Sequence, residues 1–221
     1  AMNNSLNAHY ILIKDIDASE TRDWNDGKGF EPVGYDYFHP FEGNLDGQGY
    51  KISKLFINRP SQDFVGLFGC VKNGKVSNGS LENVNISGGE YVGELVGYNY
   101  KGTVENSYSS GKVSGSKEVG GLVGENFYGT VKNCYSTGNV SGSYDYVGGL
   151  VGENYEGTVK NCNSTGEVSG DDYVGGLVGK NYEGTVKNCN STGEVSGNSS
   201  VGGLVGKNWG TVENSYSTGK V

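Results

Sequence analysis

The stretch VGGLVGENYEGTVKNCNSTGEVSG, Val147–Gly170, decides the fold, because near-copies of it return at a fixed interval along the chain. VGGLVG stands again at Val119–Gly124, Val174–Gly179 and Val201–Gly206. Earlier variants are VGELVG at Val92–Gly97 and VGLFG at Val65–Gly69. The leucines of these segments, Leu67, Leu95, Leu122, Leu150, Leu177 and Leu204, are spaced 28, 27, 28, 27 and 27 residues apart. The second half, GTVKNCNSTGEVSG at Gly157–Gly170, recurs at Gly184–Gly197. A constant period of this length marks a solenoid, in which a single repeat cannot bury its apolar side and neighbours must stack.

The repeat is too rich in glycine, and its apolar runs too short, for helices. Valine-bearing segments of a few residues broken by glycine read as short strands. Three per coil are expected, around Leu150–Val151, Val159–Cys162 and Glu167–Ser169. The fold class is therefore all-β, a β-solenoid of about 27 residues per coil. Stacking at about 4.8 Å would align each residue with its copy in the next coil. Leu67/95/122/150/177/204, Val76/104/131/159/186/212 and Val113/140/168/195/221 then become interior ladders. Length changes fall between strands: an extra residue lies in Ser143–Tyr146, and one is lost beside Trp209. Two parts follow, an entry or capping segment over 1–63 and about six coils over 64–221, the last truncated.

Composition narrows the function. Forty of the 221 residues are glycine, but not at every third position, which excludes collagen. The net charge of −8 offers no basic face, so no nucleic-acid partner is expected. No apolar stretch is long enough to span a bilayer, so this segment is not expected to insert into a membrane. The short polar start and the mid-repeat stop at Val221 suggest a piece of a longer protein, with signal and anchor outside it.

The Gly-Leu-hydrophobic-Gly core, Gly121–Gly124 and its equivalents, resembles the GLUG motif, and the GTVKNC-STG-VSG block matches as well. The resemblance covers Phe64–Val221, and Tyr10–Pro60 is similar to the segment that often precedes such repeats. Proteins of this kind include microbial surface and adhesin-like proteins and the non-catalytic region of some immunoglobulin A1 metallopeptidases. The resemblance implies a right-handed parallel β-helix, a secreted or cell-surface location and a spacer or adhesive role. It transfers no active site. Metallopeptidase chemistry needs HExxH, and the only histidines, His9 and His39, are followed by Tyr10 and Pro40.

Several columns invite a functional reading. Cys134, Cys162 and Cys189 occupy one position in successive coils, flanked by Ser107 and Ser215. They read as a buried thiol ladder, since stacked side chains run parallel and do not converge on a metal. The column Asn78/106/133/161/188/214 reads as asparagines bonded to one another and to turns. Lys132, Lys160 and Lys187, and Glu167 with Glu194, would repel if buried and are expected to face water. The aromatic column Tyr100, Phe127, Tyr155, Tyr182 and Trp209 is the candidate binding face, for surface glycans or for proteins of a host or neighbouring cell. Its alternative use is as a self-stacked cover of a solenoid edge. Asp23, Asn25 and Asp26 are weak calcium candidates, set against a plain turn. No cofactor is expected.

The reading that follows is a non-enzymatic structural or interaction module of a microbial surface or secreted protein. One alternative is a glycan- or protein-binding module using the aromatic ladder. A carbohydrate-active β-helix enzyme fits less well, because such sites break the repeat with clustered Asp, Lys or Arg. The only arginines, Arg22 and Arg59, precede the repeats.

Overall fold

The structure, a computed structural model, describes Met2–Val221. In the coil of Leu150 the chain passes through Val147–Gly148, Val151–Tyr155, Thr158–Lys160, Asn163–Ser164 and Val168–Ser169, all extended. Each segment pairs in parallel with its copy one coil on, as in Val151↔Val178, Val159↔Val186, Ser164↔Ser191, Val168↔Val195 and Val147↔Val174. These ladders gather into three sheets. We call sheet I the one holding Val151–Tyr155 and Thr158–Lys160. Sheet II holds Asn163–Ser164 and Val168–Ser169, and sheet III holds Val147–Gly148. Of the three strands expected per coil, those around Leu150–Val151 and Val159–Cys162 both lie in sheet I and the one around Glu167–Ser169 lies in sheet II, while the Val147–Gly148 strand of sheet III was not anticipated. Sheets I and II are each folded at a corner, so that a coil carries five short segments.

The corners explain much of the polar pattern. Tyr146, Glu156 and Asn161 turn with φ of 63°, 47° and 54°, and Asn78, Asn106, Asn133, Asn188 and Asn214 repeat the last of these. Asparagine tolerates this left-handed region better than most side chains. Between corners, Gly152 brings sheet I against sheet III. A Cβ there would lie 2.6 Å from the Gly124 carbonyl oxygen and 2.7 Å from the Val119 nitrogen. The equivalent Gly97, Gly124, Gly179 and Gly206 meet backbone in the same way.

The core is the set of inward ladders. Leu95, Leu122, Leu150 and Leu177 are fully buried, as are Val76, Val104, Val131, Val159 and Val186. Burial weakens in the last coil, where Val212 is 38% exposed and Val221 is 72% exposed. The N-terminal segment enters the same ladders: Tyr10 pairs with Leu45 and Leu45 with Val76, while Ile16 pairs with Ile52 and Ile52 with Leu81. One length change lies outside the paired segments, since Ser143–Asp145 is a bend. The other, beside Trp209, falls within a continuous strand pair, where the register of Val178–Lys187 against Val205–Glu213 shifts between Tyr182 and Thr185 as a bulge absorbs the lost residue.

Candidate binding face

Sheet I positions the aromatic column. In the segment Val151–Tyr155, Glu153 and Tyr155 share the outer side and Asn154 points inward, as period two requires. Parallel register then places Tyr100, Phe127, Tyr155, Tyr182 and Trp209 one above another. Phe127 stacks on Tyr155 at 4.7 Å with a 7° interplanar angle, and Tyr155 on Tyr182 at 4.9 Å and 15°. Tyr100 and Phe127 stack at 5.7 Å and 18°. Their faces are thus taken up by one another, and the column presents ring edges and hydroxyls to solvent. Trp209 breaks the stack: it stands at 84° to Tyr182 and is 56% exposed.

Two further columns flank this one. Tyr98, Glu125, Glu153, Lys180 and Lys207 are in register beside it on sheet I. Next to them, at the entry to sheet III, come Phe64, Tyr91, Glu118, Tyr146 and Tyr173, all with φ between 49° and 63°. Phe64 stacks on Tyr91 at 4.9 Å and Tyr146 on Tyr173 at 5.4 Å. Lys180 joins the columns, with its ammonium 3.0 Å from Glu153 and 4.5 Å from the Tyr146 ring centroid.

The polar columns serve the stack. The asparagines at the corners bond to one another, with Asn133 donating to Asn106 at 3.1 Å and Asn161 to Asn133 at 3.0 Å. A second asparagine ladder, Asn99, Asn126, Asn154, Asn181 and Asn208, escaped the sequence reading. All but the last are fully buried, and each amide donates to the next coil's oxygen at 2.7–2.8 Å. The same amides bond the carbonyls of Gly102, Gly129, Gly157 and Gly184. Its signal was present in the sequence: asparagine keeps the middle of ENF, ENY, KNY and KNW while its neighbours change.

Cys134, Cys162 and Cys189 are buried free thiols, as is Cys70. The Cys134 N–H donates to Cys162 Sγ at 3.4 Å, and the Cys162 N–H to Cys189 Sγ at 3.4 Å. Burial pushes the Cys70 thiol up to about 12 and the Cys162 thiol higher still. The lysine column ends in carboxylates, with Lys132 2.9 Å from Glu105 and Lys187 2.7 Å from Glu213. Asp23 ends a 3₁₀ turn, and Asn25 and Asp26 follow at φ 54° and 55°. The Asn25 amide is spent on the Gly29 carbonyl at 2.8 Å. Among the described residues no group of three or more His, Cys, Asp or Glu side chains is placed to hold a metal ion, and no helix is long and apolar enough to cross a membrane.

The architecture is that of a parallel β-solenoid built from one repeated coil. The chain belongs to the GLUG-motif family: the GLUG motif matches at residues 88–114, 115–141, 143–169, 170–196 and 197–221, more than half of the chain. It is 46% identical over 110 residues to halomucin of Haloquadratum walsbyi, which covers 47% of this chain and 1% of that protein. It is 41% identical over 102 residues to a protein of Evansella cellulosilytica described as a Gly-rich membrane protein, covering 44% of this chain and 12% of the other. The chain therefore spans only a small part of these relatives. In structure it resembles a Bacteroides ovatus chain described as an immunoglobulin A1 protease, with TM-score 0.77 and 24% identity over 95% of this chain and 68% of that one. An IgA1 protease chain matches with TM-score 0.70 and 17% identity over all of this chain and 19% of the other. At these identities the likeness is one of fold.

Proposed function

We propose that the chain is a non-catalytic section of a larger cell-surface or secreted protein, in which the solenoid acts as a rigid spacer. The observation that carries this reading is the use of the repeated polar columns: asparagine, thiol and stacked-ring groups find partners in their own copies one coil away. A catalytic site needs unlike groups converging on one point, and a ladder gives like groups in a row. The surface location is supported by the partial matches to halomucin and to the membrane protein. Two assays test the proposal. Antibody raised against the chain should label intact cells of the source organism or detect the protein in the culture medium, and the purified chain should leave a panel of peptides and polysaccharides uncleaved. Labelling only after lysis with none in the medium, or turnover of any substrate, contradicts it.

A second reading is favoured by the continuous aromatic column of sheet I, which turns ring edges and hydroxyls to solvent. We propose the column, with Tyr155 and Tyr182 at its centre, as a contact face for a glycan or partner protein. Glycan-array signal or cell adhesion lost in Tyr155→Ala supports this. A blank array and unchanged adhesion in Tyr155→Ala and Tyr182→Ala exclude it.

A further inference from the structure

One group of side chains breaks the ladder logic. At the entry to sheet III, where the coils on either side have Tyr91 and Tyr146, the Leu122 coil has Glu118. Glu118 is 3% exposed and Glu125 and Glu153 are 6% exposed, although carboxylates are seldom buried without full pairing. Glu125 and Glu153 are register partners on adjacent strands of sheet I, a spacing of about 4.8 Å. Glu118 approaches from the strand Lys117–Gly120 of sheet III, across the close glycine contact between the two sheets. Its Oε1 meets the Lys117 ammonium at 2.8 Å, while its buried Oε2 has no partner. Glu153 meets Lys180 at 3.0 Å. Two ammonium groups thus face three carboxyls.

The surrounding groups do not make up the deficit. From the preceding coil come Glu90, a further negative charge, and the phenols of Tyr91 and Tyr98. From the following coil comes Tyr146, whose ring lies under both lysines at 5.0 Å and 4.5 Å. We propose that Glu118 and Glu125, packed against the Lys180-paired Glu153, form a proton-holding lock between sheets I and III, closed while protons are bound and opened by alkali. With protons held, the cluster is close to neutral and tolerates burial. Fully ionised, it buries excess negative charge at the joint of the two sheets, and mutual repulsion acts to part them. Burial, with the neighbouring Glu153 and Glu118 charges, pushes Glu125 up to about 9, and burial pushes Glu118 up to about 7 against the pull of Lys117.

Each of these two groups holds its proton more tightly folded than unfolded. The stability they contribute is therefore complete below the ordinary glutamate value of 4.5 and is lost as pH rises through about 7 and then about 9. Glu94 is a confounding carboxyl, fully buried in the interior and pushed up to about 8 by that burial. The test is thermal unfolding followed by far-UV circular dichroism at pH 6 and pH 9, where lysine and tyrosine still carry their protons. Wild type should melt lower at pH 9. The loss should shrink most in Glu125→Gln, whose window spans the whole range from pH 6 to pH 9, and less in Glu118→Tyr, which restores the neighbouring coils' residue; in Glu94→Gln it should be reduced but persist. A flat wild-type profile overturns the lock, as does a loss as large in Glu125→Gln and Glu118→Tyr as in wild type. Should those two variants not fold, the infrared carboxylic-acid band of Glu94→Gln decides: present at pH 7 it supports the lock, absent it overturns it.

Discussion

At the scale of single residues, the two asparagine ladders show how the same side chain does different work. Asn154 is fully buried, accepts from Asn126, and donates to Asn181 and to the Gly157 carbonyl. Replacing it by alanine leaves buried donors and acceptors unpaired on both sides, and should destabilise the protein by at least about 2 kcal/mol in urea unfolding. Asn161 is exposed and sits at φ 54°. There alanine should cost only about 1 kcal/mol, chiefly for the left-handed backbone, and glycine should be close to neutral. The thiol column gives a second residue-scale prediction. Because all four cysteines are buried and the Cys70 and Cys162 thiols are pushed up, native protein should resist alkylation at pH 8, whereas denatured protein should be labelled at all four. Labelling of the folded chain at Cys162 would mean that the column is open.

At the scale of elements, the decisive feature is the glycine that lets sheet I approach sheet III. A methyl group on Gly152 would press on the Gly124 carbonyl and the Val119 backbone, and neither can turn aside. Gly152→Ala should therefore destabilise by about 1–3 kcal/mol, read from the urea midpoint. The leucine and valine ladders could be read from sequence because their period is the coil itself, and apolar residues in a stack have one place to go. Side-chain direction at the corners could not be read in the same way. Ser136, Ser164 and Ser191 turn inward and are buried, while the adjoining Thr137, Thr165 and Thr192 face out, although the pair looks uniform in sequence. The inner asparagines, and the burial of Glu118, Glu125 and Glu153, were hidden for the same reason. A left-handed corner reverses the inside–outside alternation, and spacing alone does not show where such corners lie. The aromatic column was placed on one surface by its spacing, but only the ring angles show that most of its faces are occupied by neighbours.

At the scale of the molecule, the coils are interchangeable units whose side chains pair with their own copies. In a solenoid of this kind stability is close to a sum over coils and their interfaces. Removing one interior coil should therefore cost that coil's share and leave the rest intact. Deletion of residues 174–200 joins Tyr173 to Val201 and returns the chain to an equivalent position of the repeat. Circular dichroism and small-angle X-ray scattering of this 27-residue deletion provide the most direct test. A cooperatively folded, β-rich protein, melting somewhat lower and shorter along its axis by about 4.8 Å, is the predicted result. An unfolded or aggregated product, or a particle whose long dimension does not change, would contradict the stacked-coil account.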